Sequence, residues 1–294
     1  MKDSKFVLVT GCSSGFGKLT ALALAEHGYT VFATLRAPGG TDRQTKQELE
    51  AAGGAAGRVI ALAMDVSSDE SVQRAFAEIE RHTEHLDVVV NNAGVSAMGV
   101  AEAFTAEQVL SLLQVNTVGV HRVNRAALPL MRARRQGLLV HVSTGLSRLP
   151  MPMFGPYAAS KAAVEVLAEV YRYELGPLGI DSVIVQPAAF PTRLGAVALR
   201  PLDTARLVDY GDLAALPDRM MAHLNAWFSG PDAPRAESVA EAILRLIETP
   251  AGQRPLRTTV GGGPDELNEF TDRAQRELLT SQGLGFLLEL GGQQ

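Results

Sequence analysis

Short apolar runs rich in β-branched residues alternate along this chain with longer segments of helical spacing, and that alternation restricts the fold more than any other feature. The runs cover residues 6–9, 30–34, 59–63, 86–90, 138–142, 182–185 and, less regularly, 257–260. Between them lie amphipathic stretches such as 19–26, 72–79 and 158–175. A strand that is apolar at nearly every position must be covered on both faces, and strands separated by helices pair in parallel. The pattern predicts an α/β fold built on a doubly wound parallel sheet.

No shift in composition marks a linker and no internal repeat is visible, so a single domain over 1–294 is expected. The rhythm breaks from about 192 to 234, where helical spacing is interrupted at Gly211, Pro217 and Gly230-Pro231. Insertions at the carboxyl edge of a parallel sheet often cover a ligand, although a purely structural excursion has the same appearance. His223, Trp227, Phe228, Met220 and Met221 belong to this stretch and suit either an apolar pocket or packing of the segment itself. Beyond it, 261–294 reads as a turn and a helix forming a C-terminal extension whose role the sequence does not state.

The net charge of −5 argues against a nucleic-acid partner, which would need a basic face. The local cluster Arg132-Ala-Arg-Arg135 is the expected solvated end of a helix. Cys12 is the one cysteine, which excludes an intramolecular disulfide framework and a cysteine-based zinc cage. The histidines show no metal spacing, and no metal is expected; His141, inside an apolar run, reads as a core residue. The first apolar run is too short for a signal-peptide core, and no stretch approaches the length of a membrane span. A cytoplasmic location without membrane contact is the expectation.

Two groups of residues carry chemistry. Directly after the first run comes Thr10-Gly-Cys-Ser-Ser-Gly-Phe-Gly17, opening into a helix. Glycines allow a tight turn and close approach to a pyrophosphate, and the helix start supplies free N–H groups with a positive dipole end. The candidate residues are Gly11, Ser13, Ser14, Gly15, Phe16 and Gly17. The second run closes on Arg36, near the point ~20 residues on where dinucleotide folds choose their cofactor. A carboxylate there would accept from a ribose 2′-OH, whereas a guanidinium grips a 2′-phosphate, so NADP(H) is expected. Asp65 and Val66 end the third run and are candidates for the adenine. Asn91-Asn-Ala-Gly94 ends the fourth, with Asn92 able to tie strands while Ala93 and Gly94 admit a flat ring.

The second group is Tyr157-Ala-Ala-Ser-Lys161, which opens a long helix. Positions i and i+4 share a face, so phenol and ammonium can lie side by side. A phenol alone titrates near ~10; a neighbouring cation favours phenolate and is expected to lower that value, making a general acid for a ketone and base for an alcohol. Lys161 also has Glu165 one turn further on, so a plain surface ion pair is the competing reading.

Strand, glycine loop, Asn-Asn-Ala-Gly and Tyr-x-x-x-Lys occur in this order, all at strand ends or helix starts. In the motifs T-G-x-x-x-G-x-G, N-N-A-G and Y-x-x-x-K, over about residues 5–192, the chain resembles the short-chain dehydrogenase/reductase family. Ala-Thr-Leu-Arg36 and the excursion after Thr192 look most like the hydroxysteroid and retinol dehydrogenase branch. The resemblance implies a Rossmann-like sheet and an NADP(H)-dependent oxidoreductase that interconverts a ketone or aldehyde and an alcohol. It implies Tyr157 as proton donor or acceptor, Lys161 as holder of the nicotinamide ribose, and Asn116 as the residue that positions a relay water. It further implies Pro187 and Thr192 as cofactor contacts, and a homodimer or homotetramer through helices around 105–130 and 157–175.

Two positions depart from the family. Its usual serine thirteen residues before the tyrosine is Thr144 here, which keeps the hydroxyl and adds a methyl. Ser143 carries a second hydroxyl that a shifted register in 149–152 would bring to the same place. The usual Pro-Gly is Pro187-Ala188, which demands an ordinary backbone at Ala188. The substrate is expected to be a small apolar carbonyl or alcohol. A catalytically silent NADP-binding regulator or scaffold is the alternative, and the intact Tyr157, Lys161 and Asn116 speak against it.

Overall fold

In the computed structural model, residues 5–52 and 57–290 are described; the outermost residues of the expected domain, 1–4 and 291–294, lie outside them. Among the described residues seven strands form one sheet: β1 (Phe6–Val9), β2 (Thr30–Leu35), β3 (Arg58–Ala63), β4 (Val88–Asn91), β5 (Gly137–Val142), β6 (Ile180–Pro187) and β7 (Arg257–Val260). All pairs are parallel, in the order β3-β2-β1-β4-β5-β6-β7. This is the Rossmann-like doubly wound sheet that the alternation predicts. Each predicted run becomes a strand because the inner strands are buried at nearly every position, while β3 and β7 at the edges are partly open. Apolar residues on both faces leave such a segment no amphipathic helix to form.

The helices are α1 (Gly15–Glu26), α2 (Arg43–Ala51), α3 (Asp69–Glu80), α4 (Ala106–Leu113), α5 (Gly119–Arg134), α6 (Gly155–Leu175), α7 (Arg193–Ala196), α8 (Leu216–Phe228), α9 (Glu237–Glu248), α10 (Asp265–Ser281) and α11 (Phe286–Leu290). Side chains alternate across the sheet. Val7 and Val9 face a core that α1 closes with Ala21 and Leu24, and α9 with Val239, Ile243 and Leu246. Leu8, between them, faces a second core closed by Val72, Phe76 and Ile79 of α3 and by Val123 and Met131 of α5. The two layers hold the carboxyl ends of the strands in one line, along which every candidate residue falls.

The basic cluster at Arg132 occupies the exposed last turn of α5, where positive charge suits the negative end of the helix dipole. The excursion after Thr192 has helical parts, but Pro217 does not interrupt it. Pro217 sits in the first turn of α8, where its missing N–H needs no partner. The other two expected places are breaks: Gly211 takes φ 48°, and α8 ends at Phe228 just before Gly230-Pro231.

The excursion is stitched by main chain to the segment after β4. Met98 N–H donates to the Leu199 carbonyl at 2.9 Å, Leu199 N–H to Ser96 at 2.8 Å, and Asp203 N–H to Ala103 at 3.1 Å. Leu207, Leu216, Met220 and Met221 then pack over Met98, Val100 and Met153. The methionines thus join an apolar layer, whereas His223 and Trp227 are exposed. Among the described residues no helix is long and apolar enough to cross a membrane.

Candidate active site

Strand order reverses beside β1, so the sheet opens between the carboxyl ends of β1 and β4. The turn between β1 and α1 fills the near side of that opening. Gly11 adopts φ 71° and Gly15 φ 58°, in the left-handed region that favours glycine. Gly17 has no room for a side chain: a Cβ there would lie 2.4 Å from both the Asn92 amide nitrogen and the Gly11 carbonyl oxygen. Ser14 precedes α1 in extended conformation without capping it, and the first turn carries no acidic residue. Helix α3 is the contrast: Ser68 caps it by accepting from Ser71 N–H, and Asp69 and Glu70 fill its first turn. The start of α1 is therefore left for an anion, and the cradle fits a dinucleotide pyrophosphate. Ser13 lies exposed at the rim, and the Phe16 ring meets Phe190 edge-on at 5.4 Å.

The far side is tied to the near side by hydrogen bonds. The Thr10 hydroxyl accepts from the N–H groups of Asn92 at 3.0 Å and Ala93 at 2.9 Å. The Asn92 side chain donates back to the carbonyls of Thr10 at 2.8 Å and Gly11 at 3.1 Å. Asn91, one residue earlier, donates instead to Asn124 of α5 at 2.8 Å. Beyond them Gly94 lies between two candidate residues: a Cβ there would be 3.3 Å from Asn116 Oδ1 and 3.4 Å from Lys161 Nζ. That bare surface fits a flat ring.

Asn116 is fully buried in a single π-helical turn, Gln114–Val118, between α4 and α5. Its Oδ1 accepts from Val95 N–H at 2.8 Å, and its Nδ2 lies 2.8 Å from the Val95 carbonyl and 2.9 Å from Ser160 Oγ. One extra residue in the turn aims the amide inward, a device common at functional sites.

Tyr157 lies in the first turn of α6, and Lys161 follows on the same face; both are buried. The phenol shares a hydrogen bond with Thr144. The Lys161 ammonium donates to the Val142 carbonyl at 2.8 Å. The fold thus brings Asn116, Thr144, Tyr157 and Lys161 to one place at the ends of β4 and β5. Ser143 Oγ is buried without a hydrogen-bond partner, and the bond to the phenol comes from Thr144.

The expected lowering of the phenol does not occur in this arrangement. Burial pushes Tyr157 up to about 12, and the bond to Thr144 offsets only part of that. Burial also brings Lys161 down to about 8, against the pull of the Glu165 carboxylate. Desolvation disfavours the charged form of each and is the larger cause of both shifts.

The remaining candidates line the same edge. Arg36 is exposed at the end of β2, and its charge helps hold the Asp65 carboxyl low, after the hydrogen bond from Ser67 that dominates. Asp65 Oδ1 accepts from Ser67 N–H and Oγ at 2.8 and 2.6 Å. Val66 is buried beside Thr10, Ala93 and Val115 around a small recess. Pro187 ends β6, and Ala188 N–H continues the ladder to Val260 at 2.9 Å. Ala188 has no positive φ, as an alanine there requires. Thr192 overhangs the glycine turn: a Cβ on Gly15 would lie 3.6 Å from it.

Cys12 is buried, and burial pushes its thiol up to about 12, so it carries no reactive thiolate. His141 is buried and held neutral by burial, its pKa brought down to about 3; its Nε2 lies 3.2 Å from Ser182 Oγ. Sequence reasoning missed Phe190, which packs on the glycine turn, and the side chains of Gln186 and Asn268, which meet behind α6 at 2.7 Å. No local pattern marks a pair 82 residues apart.

The chain is similar to known proteins over most of its length. The family model for short chain dehydrogenase matches residues 5–200. A 3-ketodihydrosphingosine reductase from Bacteroides thetaiotaomicron is 36% identical over 188 residues, which is 64% of this chain and 65% of that protein; the match spans just under two thirds of the relative's length. Human retinol dehydrogenase 5 is 34% identical over 251 residues, covering 84% of this chain and 73% of that one. The crystal structure of a short-chain dehydrogenase from Streptomyces avermitilis is 29% identical, covers 96% of each chain and superposes with a TM-score of 0.75.

The raised phenol is directly measurable. Subtracting the ultraviolet pH titration of Tyr157→Phe from that of the wild type, both free of cofactor, isolates Tyr157. No phenolate should form below about pH 10. A midpoint near neutrality would show that Lys161 overcomes the burial.

Proposed function

The chain belongs to the short-chain dehydrogenase family, and from that membership we propose that it is an NADP(H)-dependent oxidoreductase that interconverts an apolar ketone or aldehyde and the alcohol, with Tyr157 as proton donor in reduction and acceptor in oxidation. The observation that carries this reading is the convergence of Tyr157, Lys161, Thr144 and Asn116 beside the bare surface of Gly94. A pure binding module needs the glycine cradle but not that cluster.

A reduced nicotinamide bound along Ala93 and Gly94 would supply the hydride. The chain's own residues handle the oxygen and the proton. Thr144 and the Tyr157 hydroxyl hold the substrate oxygen. As negative charge develops there, the phenol proton moves onto it, which is the task of a general acid that stays neutral at working pH. Lys161, while protonated, stabilises the phenolate left behind and is held in place by the Val142 carbonyl. Asn116, fixed by Val95, keeps the inner end of the proton path ordered. A phenol raised to about 12 keeps its proton at neutral pH and so is present in the acid form that reduction requires.

The apolar substrate class rests on the walls. Around Tyr157 pack Ala97, Phe104, Leu112, Phe154 and Leu199. The choice of NADP(H) rests on Arg36, exposed where a carboxylate would select the unphosphorylated ribose. A homodimer or homotetramer completes the proposal: Leu110 on α4 and Val166 and Val170 on α6 are exposed, on the helices expected to pair.

Three measurements test these parts. NADPH consumption against a panel of bulky ketones should show turnover for the wild type and a loss on the order of 100-fold or more in Tyr157→Phe; equal rates would sink the mechanism. Arg36→Ala should weaken NADPH at least about tenfold while leaving NADH nearly unchanged, and equal weakening would reassign the cofactor. Sedimentation velocity should find two or four copies of the 31.3 kDa chain, and a monomer at micromolar concentration would remove the assembly from the proposal.

A further inference from the structure

Helix α10 lies beyond the stretch that the family model matches, yet it reaches the back of α6. Glu165, one turn after Lys161, is buried there: its side chain and that of Arg257 are each only 3% exposed. Gln186, in β6, donates to both Glu165 oxygens at 3.0 and 3.1 Å. The Gln186 carbonyl accepts from Asn268 of α10 at 2.7 Å. Ser147 Oγ is within hydrogen-bond distance of both the Glu165 carboxylate and the Thr144 carbonyl oxygen. Arg257 of β7 lies 3.6 Å from Glu165 and also pairs with Glu169 and with Asp272 of α10. Arg148 donates to Asn268 and Thr271.

A buried carboxylate is costly even when paired, and an apolar side chain of similar volume often serves stability as well. The placement of this one gives it a different use. We propose that Glu165 is a positioning residue of the site: its carboxylate fastens the loop carrying Thr144 to the end of β6, and α10 holds that point through Asn268. The proposal rests on the reading above that Tyr157 and Lys161 carry the chemistry.

Two effects follow from the geometry. By accepting from the Ser147 hydroxyl, Glu165 holds a turn in which Ser147 N–H donates to the Thr144 carbonyl at 3.2 Å, and so the hydroxyl that meets Tyr157. Through its charge, it favours the ammonium form of Lys161, which burial opposes. The other charged or titratable groups around it are Glu169 on α6, Arg257 on β7, Arg148 beside the Thr144 loop and Asp272 on α10. His141, on β5, is held neutral. Glu165→Gln leaves Arg257 with Glu169 and Asp272, so that arginine is not stranded.

The chain contains five lysines, Lys2, Lys5, Lys18, Lys46 and Lys161, so ε-13C-lysine NMR resolves Lys161 once Lys161→Arg assigns it. In cofactor-free protein, Glu165→Gln should lower the Lys161 midpoint by on the order of one pH unit. Ser147→Ala keeps the charge and removes the tether. It should leave the midpoint in place and cut reductive kcat by on the order of tenfold with little change in KM, since a misplaced group costs rate more than binding. An unmoved midpoint in Glu165→Gln, or wild-type kcat in Ser147→Ala, overturns the proposal. The titration needs no turnover, so a wild type inactive on every carbonyl would remove the proposed function without deciding the place of Glu165.

Discussion

The cross-tie between Thr10 and Asn92 is the contact on which the rest of the site depends. At the point where strand order reverses, β1 and β4 are neighbours whose connections leave in opposite directions, and the main-chain ladder between them ends at the Thr10 N–H bond to the Val90 carbonyl, 3.0 Å, leaving a gap beyond it. One threonine hydroxyl accepting two N–H groups, and one asparagine amide returning two bonds, close that gap. The glycine turn then lies flat against Asn92, and Gly94 emerges beside Lys161 and Asn116. The glycine turn and the cluster of Asn116, Tyr157 and Lys161 are therefore two sides of one fastening.

Burial sets the chemistry of that cluster. A tyrosine beside a lysine is usually discussed as a pair of opposite charges, but in a dry setting both neutral forms gain. Tyr157 keeps its proton and Lys161 holds its own less firmly than a surface lysine. The electrostatic help comes from behind, where Glu165 lies in a network that spans α6, β6, β7 and α10. Residues far outside the recognisable motifs thus share in fixing the charge of one inside them.

How much of this was legible in the sequence follows from the range of each interaction. The strands were readable because burial on both faces writes itself into consecutive residues, as in β2 and β5, and the edge strand β7 was less regular because it is half open. The glycine turn and the Tyr157–Lys161 spacing were readable because each is local. Pro217 misled, since the same residue that ends one helix starts another. The π-turn at Asn116 was hidden because one extra residue in a turn leaves helical spacing almost unchanged. The partners of Glu165 were invisible for a plainer reason: Gln186 and Asn268 come together only after the sheet has closed. Ser143 and Thr144 are hard to tell apart in the sequence, because adjacent hydroxyls differ in direction and not in kind.

The excursion over Tyr157 is anchored through main-chain bonds between 96–103 and 199–203, and those bonds are indifferent to which side chains the segment carries. Its contact surface can consequently change residue by residue while its path over the cleft stays the same. A segment so held can exchange side chains by point mutation without first losing its path. The same architecture makes this segment the natural target for directed evolution, with positions such as Leu199, Leu207, Met220 and Met221 open to a combinatorial library on an unchanged backbone.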